Sequence, residues 1–393
     1  MRKLLFLFLF LLVLVPVYAI DSVTVAQLGQ KLNQLSGKSD RHIANEVSNL
    51  ELTERLDRSR MEEWSRSLPG EKSRAALLAV ADASIFLAPP PAEIAPDPAP
   101  DKKTQGQILL RALDFVSEES RRMPNFLAER VTTRFQDAKW YPYSTRISYF
   151  TPRVYHLLDQ RTANVRYVGG EEEEIKPNRS AKKKERDITL SPKGLTTWGA
   201  FGPLLPIVMG DILQSKAGWD RWDRSTTERL AVFRFFVPQQ KSHYILEYCC
   251  GLAAKGAAIE FKALPAYHGE ITIEPDTGHI RRVVLVCDLA HGQVIDKASV
   301  ELEYGPVEIA GQKYFLPLHG VSASVVPAST SHLGEGGTNE LVGSSSLTSI
   351  NDLRFQNYRV FRTEMRIVPE QVSGDPEPPN PQPQNPKPQN PEH

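Results

Sequence analysis

Residues 267 to 287 read Tyr-His-Gly-Glu-Ile-Thr-Ile-Glu-Pro-Asp-Thr-Gly-His-Ile-Arg-Arg-Val-Val-Leu-Val-Cys, and this stretch decides the fold. Ile271 and Ile273 alternate with polar residues, which is typical of a strand with one buried face. Pro275 fixes a backbone angle that suits a turn, and Gly278 can adopt the positive φ from which a return strand begins. The stretch therefore predicts a β-hairpin.

The return strand of this hairpin, Val283 to Val286, is apolar at every position. Both of its faces should therefore be covered, by a helix or by a curving sheet. Short links such as Pro306 to Gln312 join many strand-like segments between about residues 124 and 365, which favours antiparallel pairing. The sequence predicts an α+β protein whose main domain is one strongly curved antiparallel sheet, a half-barrel with a helical plug. The predicted strand segments are Phe126–Phe135, Thr145–Phe150, Ala163–Val168, Asp187–Leu190, Leu230–Val237, Tyr244–Cys250, Gly269–Ile273, Ile280–Asp288, Ala298–Tyr304, Tyr314–Ser324 and Ser346–Arg362.

The N-terminus has the pattern of a signal peptide. Arg2 and Lys3 precede an apolar run from Leu4 to Val15, and a small-residue cleavage site ends at Ala19. The alternative is a membrane anchor, but the run is shorter than the roughly 20 residues that cross a bilayer. We expect residues 1–19 to be removed and the mature chain to be periplasmic or secreted, without a transmembrane segment.

The remaining chain divides by composition. Residues 20–87 carry apolar side chains at helical spacing, beginning with a Thr24 and Gln27 capping box, and predict a small helical module. Residues 88–104 contain six prolines and predict an extended linker. Residues 105–369 form the predicted β-domain, and residues 370–393, rich in Pro, Asn and Gln, predict a disordered tail.

One apolar segment interrupts the strands. Between Gly194 and Gly218, glycine and proline punctuate a run that predicts a loop with a helical turn near Ile207–Leu213. In water this run would expose a large apolar patch, so it should lie against apolar surface. It is the predicted plug, and packing in the core is the alternative role for its side chains. The candidate ligand-binding residues are Trp198, Phe201, Leu204, Leu205, Ile207 and Met209.

The balance of charged side chains bears on which class of partner the protein binds. The chain has 47 basic and 47 acidic side chains, so no nucleic-acid partner is implied.

Of the three cysteines, adjacent Cys249 and Cys250 point to opposite faces of a strand, so only one of them can face Cys287 from a neighbouring strand. A disulfide to Cys287 and three buried thiols are both open.

No catalytic motif is present. The nine histidines include no pair at a spacing that would aim two imidazoles at one metal, and no cofactor motif occurs, so we expect neither a metal nor a cofactor. His243 and His268, each beside a tyrosine, are the candidate polar site. The alternative is that each is a hydrogen-bonded structural histidine.

Several short segments are similar to a family of exported bacterial proteins typical of acidobacteria, a resemblance that implies no activity. They are Pro124-Asn125-Phe126, Gly199 to Leu205, Val232 to Phe235, Ser242-His243-Tyr244, Tyr267-His268-Gly269 and Asp276-Thr277-Gly278. The meander and its turn also resemble the lipoprotein-carrier fold of LolA, LolB and the sensor protein RseB. That resemblance implies a curved sheet that holds acyl chains in a concave, helix-plugged cavity. The helical module, the Pro-rich tail and the longer meander of this chain depart from those carriers.

We therefore expect a non-enzymatic exported protein that binds a lipid, another apolar molecule or a lipidated partner. The alternative is a cell-envelope interaction or sensor protein that uses the sheet as a scaffold, with a cell-envelope protein as partner. A hydrolase built around His243 or His268 is the third reading. An open cavity beneath the plug would favour the first reading, and a solid core would favour the second. A histidine hydrogen-bonded to a serine or a carboxylate in a cleft would favour the third.

Overall fold

The computed structural model describes residues 21–137, 154–175, 194–196, 203–224, 229–252, 258–290, 293–326 and 346–360. Over these residues the protein is α+β, with six α-helices and a large antiparallel sheet, as predicted. The predicted signal peptide, the tail and the segments Thr145–Phe150 and Asp187–Leu190 lie outside the described residues. None of the described helices has the length and apolar character that crossing a membrane requires.

The N-terminal part is a helical module. Thr24 caps its first helix, and the Thr24 hydroxyl and the Gln27 side chain each accept the other residue's backbone N–H, which confirms the capping box. The elements of the module are β1 (Asp21–Val23), α1 (Val25–Gln34), α2 (Asp40–Ser48), β2 (Leu50–Leu52), α3 (Arg58–Ser67) and α4 (Glu71–Ser84), with β1 and β2 paired in parallel.

The proline-rich segment connects the module to the sheet and also joins it. Residues Pro91–Glu93 form a single 3₁₀ turn, and β3 (Ile94–Ala95) pairs with a strand of the large sheet. Asp101 then caps α5 (Lys102–Arg122) by accepting the Thr104 N–H. The segment therefore packs on the fold: Ala95 is buried in the main core.

The large sheet has eleven strands in the order β3-β8-β9-β12-β13-β14-β15-β16-β4-β5-β6. The predicted hairpin forms its fourth and fifth strands: β12 pairs with β13, and Gly278 has a φ of 79° in the connecting turn. The remaining elements are β4 (Phe126–Gln136), β5 (His156–Val168), β6 (Glu171–Glu174), β7 (Gly194–Thr196), α6 (Leu204–Leu213), β8 (Lys216–Asp223), β9 (Leu230–Val237), β10 (Leu246–Leu252), β11 (Ala258–Ala263), β12 (Ala266–Ile273), β13 (Ile280–Asp288), β14 (Lys297–Ile309), β15 (Gln312–Val326) and β16 (Leu347–Val360).

The prediction that all strands follow one another in a single sheet is wrong in two places. Strand β4 pairs with β16, at the other end of the chain, so β4, β5 and β6 extend the sheet beyond its last strand. Strands β7, β10 and β11 form a separate three-stranded sheet. Strand propensity is local, whereas the choice of a pairing partner depends on contacts distant in sequence, so the sequence pattern did not contain this information.

Both faces of the large sheet are covered, as the apolar return strand predicted. Val283 and Leu285 of β13 face a core shared with α5 and α6, while Val284, between them, is buried on the other face. That second face carries the helical module, whose core includes Val321 of β15 and Ile350 of β16. The sheet therefore separates two interiors, one under α5 and α6 and one under the module.

Candidate functional site

The predicted plug is the helix α6, which lies over the apolar face of the sheet. It starts after Pro203, and Pro206 falls in its first turn, where a missing N–H costs no helical hydrogen bond. Leu204 and Met209 are buried, and Leu205 and Ile207 pack partly buried against the same core. Four of the six candidate residues thus lie together at this site, whereas Trp198 and Phe201 lie outside the described residues.

The space beside α6 is almost filled. Among the described residues, a cavity of about 20 Å³ lies between α5, α6 and the sheet. This cavity holds about one water molecule and is too small for an acyl chain. Its lining residues are Phe115, Val116, Glu119, Ser120, Met123, Leu205, Pro206, Tyr304, Phe315 and Pro317.

One carboxylate fixes α6 to its surroundings. Asp211 is 1% exposed, and its Oδ2 accepts the Tyr267 hydroxyl at 2.8 Å and the backbone N–H of His243 at 2.9 Å. Its Oδ1 lies 2.5 Å from Nδ1 of His243. Because a buried carboxylate is costly without hydrogen-bond donors, these three contacts are what allow Asp211 to lie in an apolar interior.

Tyr267 is a stable hydrogen-bond donor in this arrangement. Burial raises the pKa of its hydroxyl, and the hydrogen bond and negative charge of Asp211 raise that pKa further. The ring packs edge-on against Phe235 and Tyr244. The hydroxyl therefore stays protonated and keeps donating to Asp211 throughout the physiological pH range.

His243 is bonded to a carboxylate, the arrangement that the hydrolase reading requires. The Asp211 contact fixes Nδ1, while the His243 side chain is 65% exposed. Within the described part of the chain, no hydroxyl or thiol is hydrogen-bonded to this imidazole. Among the described residues, the Asp211–His243 pair therefore has no nucleophile beside it. What the structure shows is that His243 helps to hold the Asp211 carboxylate in place.

Asp211 was missed by the sequence analysis, although a signal for it existed. It is the single charged residue in the apolar run Leu-Leu-Pro-Ile-Val-Met-Gly-Asp-Ile-Leu of α6. A lone carboxylate in such a helix is either exposed or buried with donors, and here it is buried.

His268 does not belong to this site. It precedes Gly269 on β12 and follows Tyr267, so its side chain points to the opposite sheet face from the Tyr267 ring. It is exposed, and its Nδ1 lies 3.0 Å from Oδ1 of Asp288 across the hairpin. The two candidate histidines are therefore separated by the sheet.

Cys287 is a buried free thiol. Burial raises its pKa to about 12, with a further contribution from the charge of Asp288, so it is an inert, neutral side chain. Strand β10, which carries Cys249 and Cys250, is not a neighbour of β13, and the disulfide to Cys287 that the sequence left open is not formed. The side chains of Cys249 and Cys250 lie outside the described residues.

No protein family, curated protein or solved structure matches the chain. Function must therefore be argued from the geometry of the site.

Proposed function

We propose that this is an exported, non-enzymatic protein that binds an apolar ligand, such as a lipid acyl chain or a lipidated partner, between the sheet and α6, whose buried side chains then line the ligand. In this proposal the sheet curves around the ligand, as in the lipoprotein carriers, and α6 is a displaceable plug. The predicted signal peptide makes the protein periplasmic or secreted. The proposal requires no catalytic residue, metal or cofactor at this site.

The observation that carries the proposal is the composition of α6 and of the surface beneath it. Apart from Asp211, every residue of this helix is apolar or glycine. It covers a core that contains Phe233, Phe235 and Tyr304. Apolar surface is worth about 25 cal/mol for each Å² removed from water, so an acyl chain can replace the contacts of α6 without demanding polar recognition.

Ligand entry requires α6 to move, since the closed arrangement leaves room for about one water molecule beside it. The polar links that resist this movement converge on Asp211. A ligand that fills the vacated space compensates for the loss of the apolar contacts but not for those links. In this mechanism the binding free energy is the gain from the apolar contacts of the ligand minus the cost of breaking the hydrogen bonds of Asp211.

The test uses an environment-sensitive apolar dye that fatty acid displaces. We expect the mature protein to bind the dye, and the variants Leu204→Asp and Met209→Asp to lose affinity while remaining folded, because their charges enter the apolar site. Leu213→Asp is the matched control: Leu213 belongs to the same helix but is exposed. Unchanged dye binding in folded Leu204→Asp and Met209→Asp variants would contradict the proposal.

The alternative function, a cell-envelope interaction or sensor protein with the sheet as scaffold, is favoured by a different observation. The interior under α6 is nearly filled, and the module meets the sheet through buried charges. Arg55 lies 2.9 Å from Asp223, and Arg282 donates to the backbone carbonyl of Ile85 at 2.7 Å. Buried ion pairs add little net stability, so such an interface suits conditional docking. Co-sedimentation of the full chain with isolated cell-wall material, without dye binding, would support this alternative over the first.

A further inference from the structure

A cluster of buried side chains of the kinds that bind metal ions lies between the helical module and the sheet. It combines Asp82 of α4, His319 of β15 and Asp352 of β16, which are 2%, 3% and 0% exposed. One ligand atom from each residue lies within 4.8 Å of the others. The three residues come from three separate elements and lie on the sheet face that carries the module, opposite the face that α6 covers.

The hydrogen bonding of this cluster is incomplete. Asp352 Oδ2 lies 2.6 Å from His319 Nε2 and 3.5 Å from a guanidinium nitrogen of Arg58. By contrast, Oδ2 of Asp82 and Nδ1 of His319 are buried and have no hydrogen-bond partner among the described residues. A buried polar atom without a partner is costly, which indicates that a group outside the polypeptide completes the cluster.

Around the cluster, the negatively charged side chains outnumber the positively charged ones. Four carboxylates lie around His319, those of Asp82, Glu301, Glu303 and Asp352. Three guanidinium groups oppose them, but Arg282 is engaged by Glu301 at 2.9 Å and Arg354 has a half-exposed side chain. Arg58 is thus the main buried positive charge left for Asp82 and Asp352.

We propose that Asp82, His319 and Asp352 bind a divalent transition-metal cation of the zinc type that joins the helical module to the sheet. An imidazole and two carboxylates are ligands that zinc accepts, and a buried set of protein ligands is typical of structural sites. The cation supplies the partner that Asp82 lacks and offsets the excess of carboxylates. This inference is independent of the apolar ligand.

A proton is the competing occupant. Burial raises the pKa of Asp82, and the charge of Asp352 raises it further, so a neutral Asp82 also removes the unpaired charge. The proton and the cation differ in one measurable respect, because only the cation makes the stability of the protein depend on added metal.

The experiment measures metal binding by the mature chain after removal of metals with a chelator. Zn²⁺ alone is titrated, and the bound metal is measured by equilibrium dialysis. We expect one ion per chain and a rise in melting temperature on addition of Zn²⁺. Asp82→Asn, which conserves shape, should weaken binding by about tenfold or more and abolish the rise in melting temperature. His268→Gln, at a surface histidine beside Asp288, is the matched control and should bind as the wild type does.

The proposal is overturned if the wild type takes up no stoichiometric metal, or if Asp82→Asn binds Zn²⁺ as tightly as the wild type. A metal-free Asp82→Asn variant that is more stable than the wild type, with neither protein responding to Zn²⁺, would assign the site to a proton. Should the variant fail to fold, Co²⁺ added to histidine-labelled wild type decides: broadening of the His319 ring signals supports the site, and broadening confined to exposed histidines contradicts it.

Discussion

Tyr267 of β12 donates its hydroxyl hydrogen to Oδ2 of Asp211 in α6 at 2.8 Å, across 56 positions of sequence. This bond joins α6, the most apolar of the described helices, to the β12–β13 hairpin of the large sheet. The same Oδ2 accepts the backbone N–H of His243, so one carboxylate holds α6 to two other parts of the chain. How firmly α6 covers the apolar face depends on this carboxylate as well as on packing.

We expect Tyr267→Phe to lower the free energy of unfolding by about 1–3 kcal/mol, because the ring is kept while a buried carboxylate loses one donor. Chemical denaturation measures the change. Tyr314→Phe is the control, since Tyr314 is only partly buried and its hydroxyl makes no bond to Asp211; it should shift stability far less. Equal effects of the two substitutions would show that the Asp211 bond is energetically unimportant.

The same variant tests whether α6 is displaced on binding. Weakening the links that hold α6 closed increases the population of the open form, and apparent affinity rises with that population. Tyr267→Phe should therefore bind the apolar dye up to about tenfold more tightly than the wild type. Weaker binding would indicate that the ligand contacts the closed surface instead.

Glu270 gives a prediction for pH. Burial alone would raise its pKa, but the two hydrogen bonds from Arg221, the charge of Arg221 and the charges of Arg282 and Arg234 lower it overall from its usual value of 4.5. A carboxyl whose pKa is lower in the folded chain stabilises the fold above its unfolded pKa and loses this effect as the pH falls through its folded pKa.

The stability difference between the wild type and Glu270→Gln should consequently be largest near neutral pH and shrink as the pH falls below about 4.5. Denaturation curves at several pH values measure it. Glu51→Gln, at an exposed position, serves as control and should show no such trend. A difference that grows in acid would mean that Arg221 does not stabilise the charged form of Glu270.

Gly269 is required by close packing in β12. An added Cβ would lie 1.7 Å from the carbonyl oxygen of Val284 and 3.1 Å from the Phe235 ring. Gly269→Ala should therefore cost at least about 2 kcal/mol of unfolding free energy, since the backbone must shift. Gly218→Ala on β8 is the matched control, because its Cβ would meet no atom within 4 Å. Comparable stability of the two variants would refute this packing argument.

Local patterns predicted local structure well. The bounds of Leu230–Val237 and Ile280–Asp288 agree with those of β9 and β13, because alternation and apolar runs report which faces of a strand are buried. The turn at Gly278 and the cap at Thr24 were predicted because each rests on a few adjacent residues. The pairing of β4 with β16 was not predicted, since nothing local in either strand specifies a partner so far along the chain.

The same reasoning could not predict which side chains meet around Asp211 and around Asp82, although Asp211 stands out as the single charged residue of α6. Asp211 meets Tyr267 only after α6 folds onto β12, and Asp82 meets His319 and Asp352 only after the module packs on the sheet. The expectation of no metal rested on the spacing of histidines along one helix or strand. Such spacing is uninformative when each ligand comes from a different element.

Native mass spectrometry of the protein, purified from its source organism without added lipid, tests the central proposal most directly. We predict a species heavier than the mature chain by one apolar molecule, which added fatty acid exchanges and which the Leu204→Asp variant lacks. A bare chain that takes up no fatty acid on titration, while the fold is intact, would contradict the proposal that α6 is the plug of an apolar binding site.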